Sequence, residues 1–218
     1  MTATPPLPLS AIEARVLGCL VEKQATTPEV YPLTLNATVS ACNQKSNREP
    51  VLELEPGAVG HALRELEGKG LVAGSMSARA SRYEHRIDQA LGITPRQRAV
   101  LAVLMLRGPQ TVNEIFVRCE RLADFPAPEE VQVTLERLSQ REPALVLRLG
   151  RGPGQREDRW THLLCGAEHA AQAAAAAAAP PAAEGAAGGR IDELERRVEE
   201  LEQTLTRLLA HLPGAEPE

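Results

Sequence analysis

Two stretches of the chain place apolar residues at helical period behind the same kind of opening. Ser10 to Leu20 aligns with Thr94 to Leu104: a Ser or Thr is followed three residues later by Glu13 or Gln97. Val16, Leu17 and Leu20, or Val100, Leu101 and Leu104, then fall on one face. The opening predicts a capping box, in which a hydroxyl and a Glu/Gln side chain satisfy amides of the first helical turn. Further on, Val59, Ala62, Leu63 and Leu66 align with Val131, Thr134, Leu135 and Leu138, and a Leu-Val pair follows each set (Leu71-Val72, Leu145-Val146). Arg82-Tyr83-x-His85 then matches Arg159-Trp160-x-His162, so the three matches have offsets of 84, 72 and 77 residues (10 to 94, 59 to 131, 82 to 159). The order is constant and the spacing is too variable for a solenoid.

Each copy predicts three helices and a β-hairpin. In the first copy the helices are about Ser10 to Ala25, Leu33 to Asn43 and Gly57 to Gly68, with strands beginning near Leu71 and Ser81. In the second they are about Pro95 to Arg107, Val112 to Leu122 and Pro128 to Arg141, with strands near Ala144 and Arg159. The second hairpin turns through Gly150 to Gly154, where only irregular backbone is comfortable. Three helices and a hairpin in that order form the winged variant of the helix-turn-helix. The expected fold class is mainly α with small β-hairpins: tandem winged-helix domains at 1–90 and 91–166, with separate cores and a C-terminal coiled-coil helix.

Residues 167–189 are nearly all Ala, Pro and Gly and predict a flexible linker, because an alanine run that short is a marginal helix in water. Beyond it, over 190–212, Ile191, Leu194, Val198, Leu201, Leu205, Leu208 and Leu212 alternate spacings of three and four. That pattern fills the a and d positions of three heptads, and Ile and Val at the first two a positions favour a parallel dimer. A lone amphipathic helix is the plainer alternative.

The run Ala41 to Pro50, the Leu63 to Val72 stretch, and Gly152 to Glu157 leading to Trp160 through Leu164 resemble the bacterial YceH-like family of uncharacterised function. The resemblance covers roughly Leu9 to Leu164 and implies tandem winged-helix domains. It implies no activity, ligand or site residue.

Composition narrows the class of function. The net charge of −5 is uneven: residues 1–90 carry −1, residues 91–166 carry +2 and residues 167–218 carry −6. Neither globular part is strongly basic, so electrostatics permit nucleic-acid binding without demanding it. No leader sequence and no membrane span are read, because no apolar run approaches the length a bilayer requires. Cys19, Cys42, Cys119 and Cys165 are scattered, with no Cys-x-x-Cys and no histidine at ligand spacing. Neither disulfides nor zinc are therefore expected, and a reducing cytoplasm is. No nucleophile elbow, phosphate-binding glycine loop or paired-carboxylate motif appears, so neither an enzyme nor a cofactor is expected.

The candidate chemistry is recognition. Asn43, Gln44, Lys45, Ser46, Asn47 and Arg48 form a polar run between the second and third helices, with donors suited to phosphates and base edges. A solvated, helix-capping loop explains the same run. His61 and Arg64 lie outside the apolar stripe of the third helix and are candidates for reading a groove. The equivalent helix of the second copy opens with Glu129-Glu130, which repels phosphate. On the second hairpin, Arg148, Arg151 and Arg156, with Arg159 beside them, suit a narrow minor groove. Glu157 and Asp158 stand among them as alternative partners. Packing and a hydrogen bond account for His85 and His162. The expected partner is double-stranded DNA bound by a homodimer, with a protein-interaction adaptor as the alternative.

Overall fold

The computed structural model describes residues 8–76, 80–151 and 157–178. It is mainly helical, with small antiparallel sheets. Helix α1 (Ala11–Thr26) starts as the capping box predicts: the Ser10 hydroxyl accepts the Glu13 amide at 3.2 Å, and the Glu13 carboxylate accepts the Ser10 amide at 2.5 Å. After a 3-10 turn at Pro28–Val30 come β1 (Leu33–Thr34), α2 (Leu35–Cys42), α3 (Pro56–Gly68), β2 (Val72–Met76) and β3 (Ser81–His85). A short helix, α4 (Ile87–Leu91), leads into α5 (Pro95–Arg107), capped by Thr94 and Gln97. There follow α6 (Val112–Cys119), which has a capping box of its own from Thr111 and Glu114, α7 (Pro128–Ser139), β4 (Val146–Leu149) and β5 (Arg159–His162).

The sheets carry the internal repeat at atomic detail. In the first, β3 lies between β1 and β2, with Leu33 opposite Tyr83 and Gly74 on the other side of Tyr83. Leu33 and Thr34, expected as the start of the second helix, pair with β3 instead, and the Thr34 hydroxyl takes the cap by accepting the Ala37 amide. In the second, β4 pairs with β5, and Gln110 bridges Trp160 at the same 77-residue offset (33 to 110, 83 to 160). The two matched arginines do the same thing: Arg82 donates to the Pro32 carbonyl at 2.8 Å and Arg159 to the Pro109 carbonyl at 3.0 Å.

Val16, Leu17, Leu20, Leu63 and Leu66 are fully buried, as are Val100, Leu101, Leu104, Leu135 and Leu138. The expectation of two separate cores is corrected at the seam, because these residues belong to one continuous apolar interior joined where α1 packs on α5. Gly18 permits the crossing: a Cβ there would meet Leu106 Cγ at 3.0 Å and Met105 Cβ at 3.2 Å. Arginines of the second half staple the connection, Arg98 to Asp88 at 2.5 Å and Arg141 to the Leu91 carbonyl at 2.5 Å.

A second correction falls on the linker. Residues Ala167–Ala178 form a helix, α8, that packs on β5. Ala170, fully buried, supplies the tertiary packing that an isolated alanine run lacks. The rest of the expected linker and the heptad segment from Ile191 to Leu212 lie outside the described residues. Among the described residues, no helix is long and apolar enough to cross a membrane.

Candidate nucleic-acid interface

The polar run after α2 divides into a buried part and an exposed part. Asn43 closes α2 and clamps the next loop, donating from Nδ2 to the Leu54 carbonyl at 3.0 Å and accepting the Leu54 amide at 2.8 Å. Arg48 is corrected as a phosphate ligand, because its side chain has no exposed surface. It donates to both Glu22 oxygens (3.1 and 2.5 Å), to the Ala41 carbonyl (3.0 Å), to the Asn47 carbonyl (2.8 Å) and to Gln44 Oε1 (2.9 Å). Gln44 is thereby held by Arg48. Lys45, Ser46 and Asn47 remain exposed.

This loop also docks on the second half of the chain. The Glu49 amide donates to the Leu106 carbonyl at 2.8 Å, and the Arg107 guanidinium donates to Asn47 Oδ1. Between loop and helices lies a groove of about 280 Å³ that brings Arg107, Arg118 and Arg121 together beside Asn47. None of the three forms an ion pair among the described residues. Burial, and then the positive field of Arg118, lowers the Arg107 pKa from its ordinary value. Glu22 and Glu120 also line the groove, but Arg48 compensates Glu22, which leaves three arginines against one carboxylate. Sequence reasoning missed this cluster because the arginines come from the end of α5 and from α6 and its following turn, segments that read singly as solvated helix ends.

His61 and Arg64 are exposed on α3 and make no ion pair among the described residues. The second hairpin is different. Arg148 binds Asp158 through Nε at 2.9 Å, Arg151 approaches Asp158 at 3.4 Å, and Arg159 holds Glu114 at 2.9 Å. Of the two expected carboxylates Asp158 thus accounts for Arg148 and Arg151, which are nonetheless well exposed in pairs that solvent screens, whereas Arg159 pairs with Glu114 and Glu157 holds no arginine among the described residues. Arg156 lies outside the described residues.

His85 and His162 are both buried, which fits supporting roles. The His85 ring bonds Gln24 Oε1 at 2.7 Å, and burial lowers its pKa from 6.5 to about 4. The ring of His162 makes no hydrogen bond among the described residues, and its Nδ1 is buried without a partner. The expectation that no histidine stands at ligand spacing from a cysteine is corrected here. His162, Cys165 and His169 each offer a donor atom, and these atoms lie within 4.8 Å of one another. The signal stands in the sequence as His-x-x-Cys-x-x-x-His, and it is hard to see there because His169 falls in a segment that reads as linker.

The family described as "Protein of unknown function, DUF480" matches residues 9–155. The chain is 57% identical over 189 residues to a UPF0502 protein of Azotobacter vinelandii, covering 86% of this chain and 84% of the relative. It is 53% identical over 209 residues to a UPF0502 protein of Xanthomonas campestris, covering 95% and 93%.

Proposed function

Because the chain belongs to the DUF480 family, whose function is unknown, we propose its role from its own chemistry: a non-catalytic, cytoplasmic, tandem winged-helix protein that binds double-stranded DNA in a regulatory capacity. In this reading α2 with α3, and α6 with α7, are the two helix-turn-helix pairs, and the β2–β3 and β4–β5 hairpins are the wings. The observation that carries it is the groove in which Arg107, Arg118 and Arg121, none of them in an ion pair among the described residues, outnumber the uncompensated Glu120 carboxylate beside the exposed Asn47. A neutral to faintly basic surface with a few guanidinium groups outside ion pairs suits weak, phosphate-directed binding. His61 and Arg64 supply side chains for base edges.

Fluorescence anisotropy on duplex DNA across a salt series tests the proposal. With roughly three to four phosphates neutralised, log affinity should fall with log salt at a slope of about −2 to −4. Replacing Arg107, Arg118 and Arg121 together by alanine should weaken binding by about ten-fold or more and flatten the slope by roughly 0.9 for each phosphate no longer neutralised. Absence of duplex binding at low salt, or an unchanged slope in the triple variant, removes the groove from the interface.

A second reading has one observation in its favour. Phe116, Val117, Ala123 and Phe125, with Glu120 and Asp124 among them, line a recess of about 370 Å³, and Val117 is 67% exposed. That surface suits an adaptor that binds another protein, whose affinity salt would leave nearly unchanged.

The heptads from Ile191 to Leu212 make a homodimer part of the proposal, since two linked chains raise the effective concentration of the second DNA-binding surface. Sedimentation should give twice the monomer mass for the full chain and a monomer for a chain ending at Ala178. Equal masses would remove the dimer.

A further inference from the structure

We propose that His162, Cys165 and His169 form a binding site for a divalent transition metal ion of the zinc class. His162 ends β5, Cys165 sits in the turn that follows, and His169 lies in the first turn of α8. Gly166, at a φ of +87°, reverses the chain between them, and its amide donates to the Leu163 carbonyl at 2.9 Å. This corner brings the three donor atoms within 4.8 Å of one another. Ligands of a tetrahedral zinc ion stand about 3.5 Å apart, so a small rotation of side chains closes the site, and His169 is only half buried and free to make it.

Two independent observations favour a metal over an incidental cluster. The first is the state of His162, which is 4% exposed and carries a buried Nδ1 with no hydrogen-bond partner. Buried polar atoms are nearly always satisfied, and the His162 ring, with no hydrogen bond at either nitrogen among the described residues, has a lone pair that a metal ion can take. The second is the internal repeat. At the 77-residue offset, His162, Cys165 and His169 correspond to His85, Asp88 and Gly92. In the first copy the histidine likewise has a buried Nδ1 without a partner, but its Nε2 is bonded to Gln24, the next position pairs with Arg98, and the third offers no donor. The two-nitrogen, one-sulfur set is thus a property of the second copy alone and not of the shared fold.

The donor set selects the ion. Imidazole and thiolate suit zinc, cobalt, nickel and copper and disfavour calcium and magnesium, which take oxygen. Three protein ligands leave the fourth position to water, and His162 and His169 also line a cavity of about 290 Å³ with Arg15, Glu49 and Met105 that has room for it. Binding deprotonates the Cys165 thiol, which otherwise rests 3.7 Å from the Ser10 carbonyl. The ion would pin α8 to β5, tying the helix to the sheet through side chains as well as through Ala170.

The test is titration of the chelator-stripped full chain with Co²⁺. One equivalent should bind with the visible bands of tetrahedral cobalt and a near-ultraviolet thiolate-to-cobalt band, and Zn²⁺ should displace it. Cys165→Ser should lose the thiolate band while keeping the circular dichroism of the parent, and His169→Gln should bind at least about ten-fold more weakly. His162 is left intact because its burial makes loss of folding a competing outcome. A spectrum of octahedral cobalt only, or a thiolate band that survives Cys165→Ser, would overturn the proposal.

Discussion

Replacing Arg48 by alanine is expected to destabilise the protein by about 3–5 kcal/mol, the loss typical when one partner of a buried ion pair is removed. The side chain is wholly buried, and Glu22, its bidentate partner, is 15% exposed. Burial alone depresses the basicity of a guanidinium, but the hydrogen bonds and charge of Glu22 outweigh it, and the Arg48 pKa is raised. Alanine therefore strands a carboxylate and frees the carbonyls of Ala41 and Asn47. Urea unfolding checks this through a lowered midpoint at unchanged slope. The double variant Arg48→Met, Glu22→Leu should recover most of the loss, since an apolar pair of similar volume often equals a buried ion pair. A loss below about 1 kcal/mol would mean that the pair relaxes into solvent. Arg48, one of six polar residues in a run that suits phosphates and base edges, thus belongs to the interior.

His85 should make the fold acid-sensitive. The residue is 7% exposed and lies in the positive field of Arg98 and Arg86, and its backbone amide donates to the Tyr31 hydroxyl at 2.7 Å. Tyr31 is itself pushed up to about 12 by burial and stays neutral. Burial, then the two arginines, lowers the His85 pKa from 6.5 to about 4, so on acidification the unfolded chain takes up the proton first. The contribution is complete above about pH 6.5 and is lost as the pH falls towards 4, amounting to about 3 kcal/mol for a shift of this size. Carboxylates titrate in the same window, so the measurement is a difference: unfolding free energy against pH for the parent and for His85→Gln. The variant should be flatter by about 3 kcal/mol over that range. Parallel curves would show that the ring is not buried neutral.

Much of the architecture was legible because local signals agreed with the tertiary packing. The Ser10–Glu13 and Thr94–Gln97 boxes located the starts of α1 and α5, and the Leu-Val pairs marked where each hairpin begins. What escaped reading depends on distance. Strand β1 is two residues long and exists through its pairing with β3, and Gln110 joins Trp160 across fifty residues of chain (110 to 160). α8 reads as linker because its stability comes from β5 and not from alanine propensity. The recognition residues fared worse for the same reason. Charge type is visible in a sequence, but the partner is not, so Arg48, Arg148, Arg151 and Arg159, which are ion-paired, read like Arg107, Arg118 and Arg121, which form no ion pair among the described residues.

The continuity of the interior across α1 and α5 sets how the chain responds to cutting. A protease that severs the segment between α4 and α5 should leave two fragments that co-elute, because each would have to expose the leucine face it presents to the other before leaving. Calorimetry should record one transition for residues up to Ala178, and neither half expressed alone should be soluble at the concentrations the whole chain tolerates. The two copies have in this sense ceased to be interchangeable parts. Deleting either copy should therefore unfold the other.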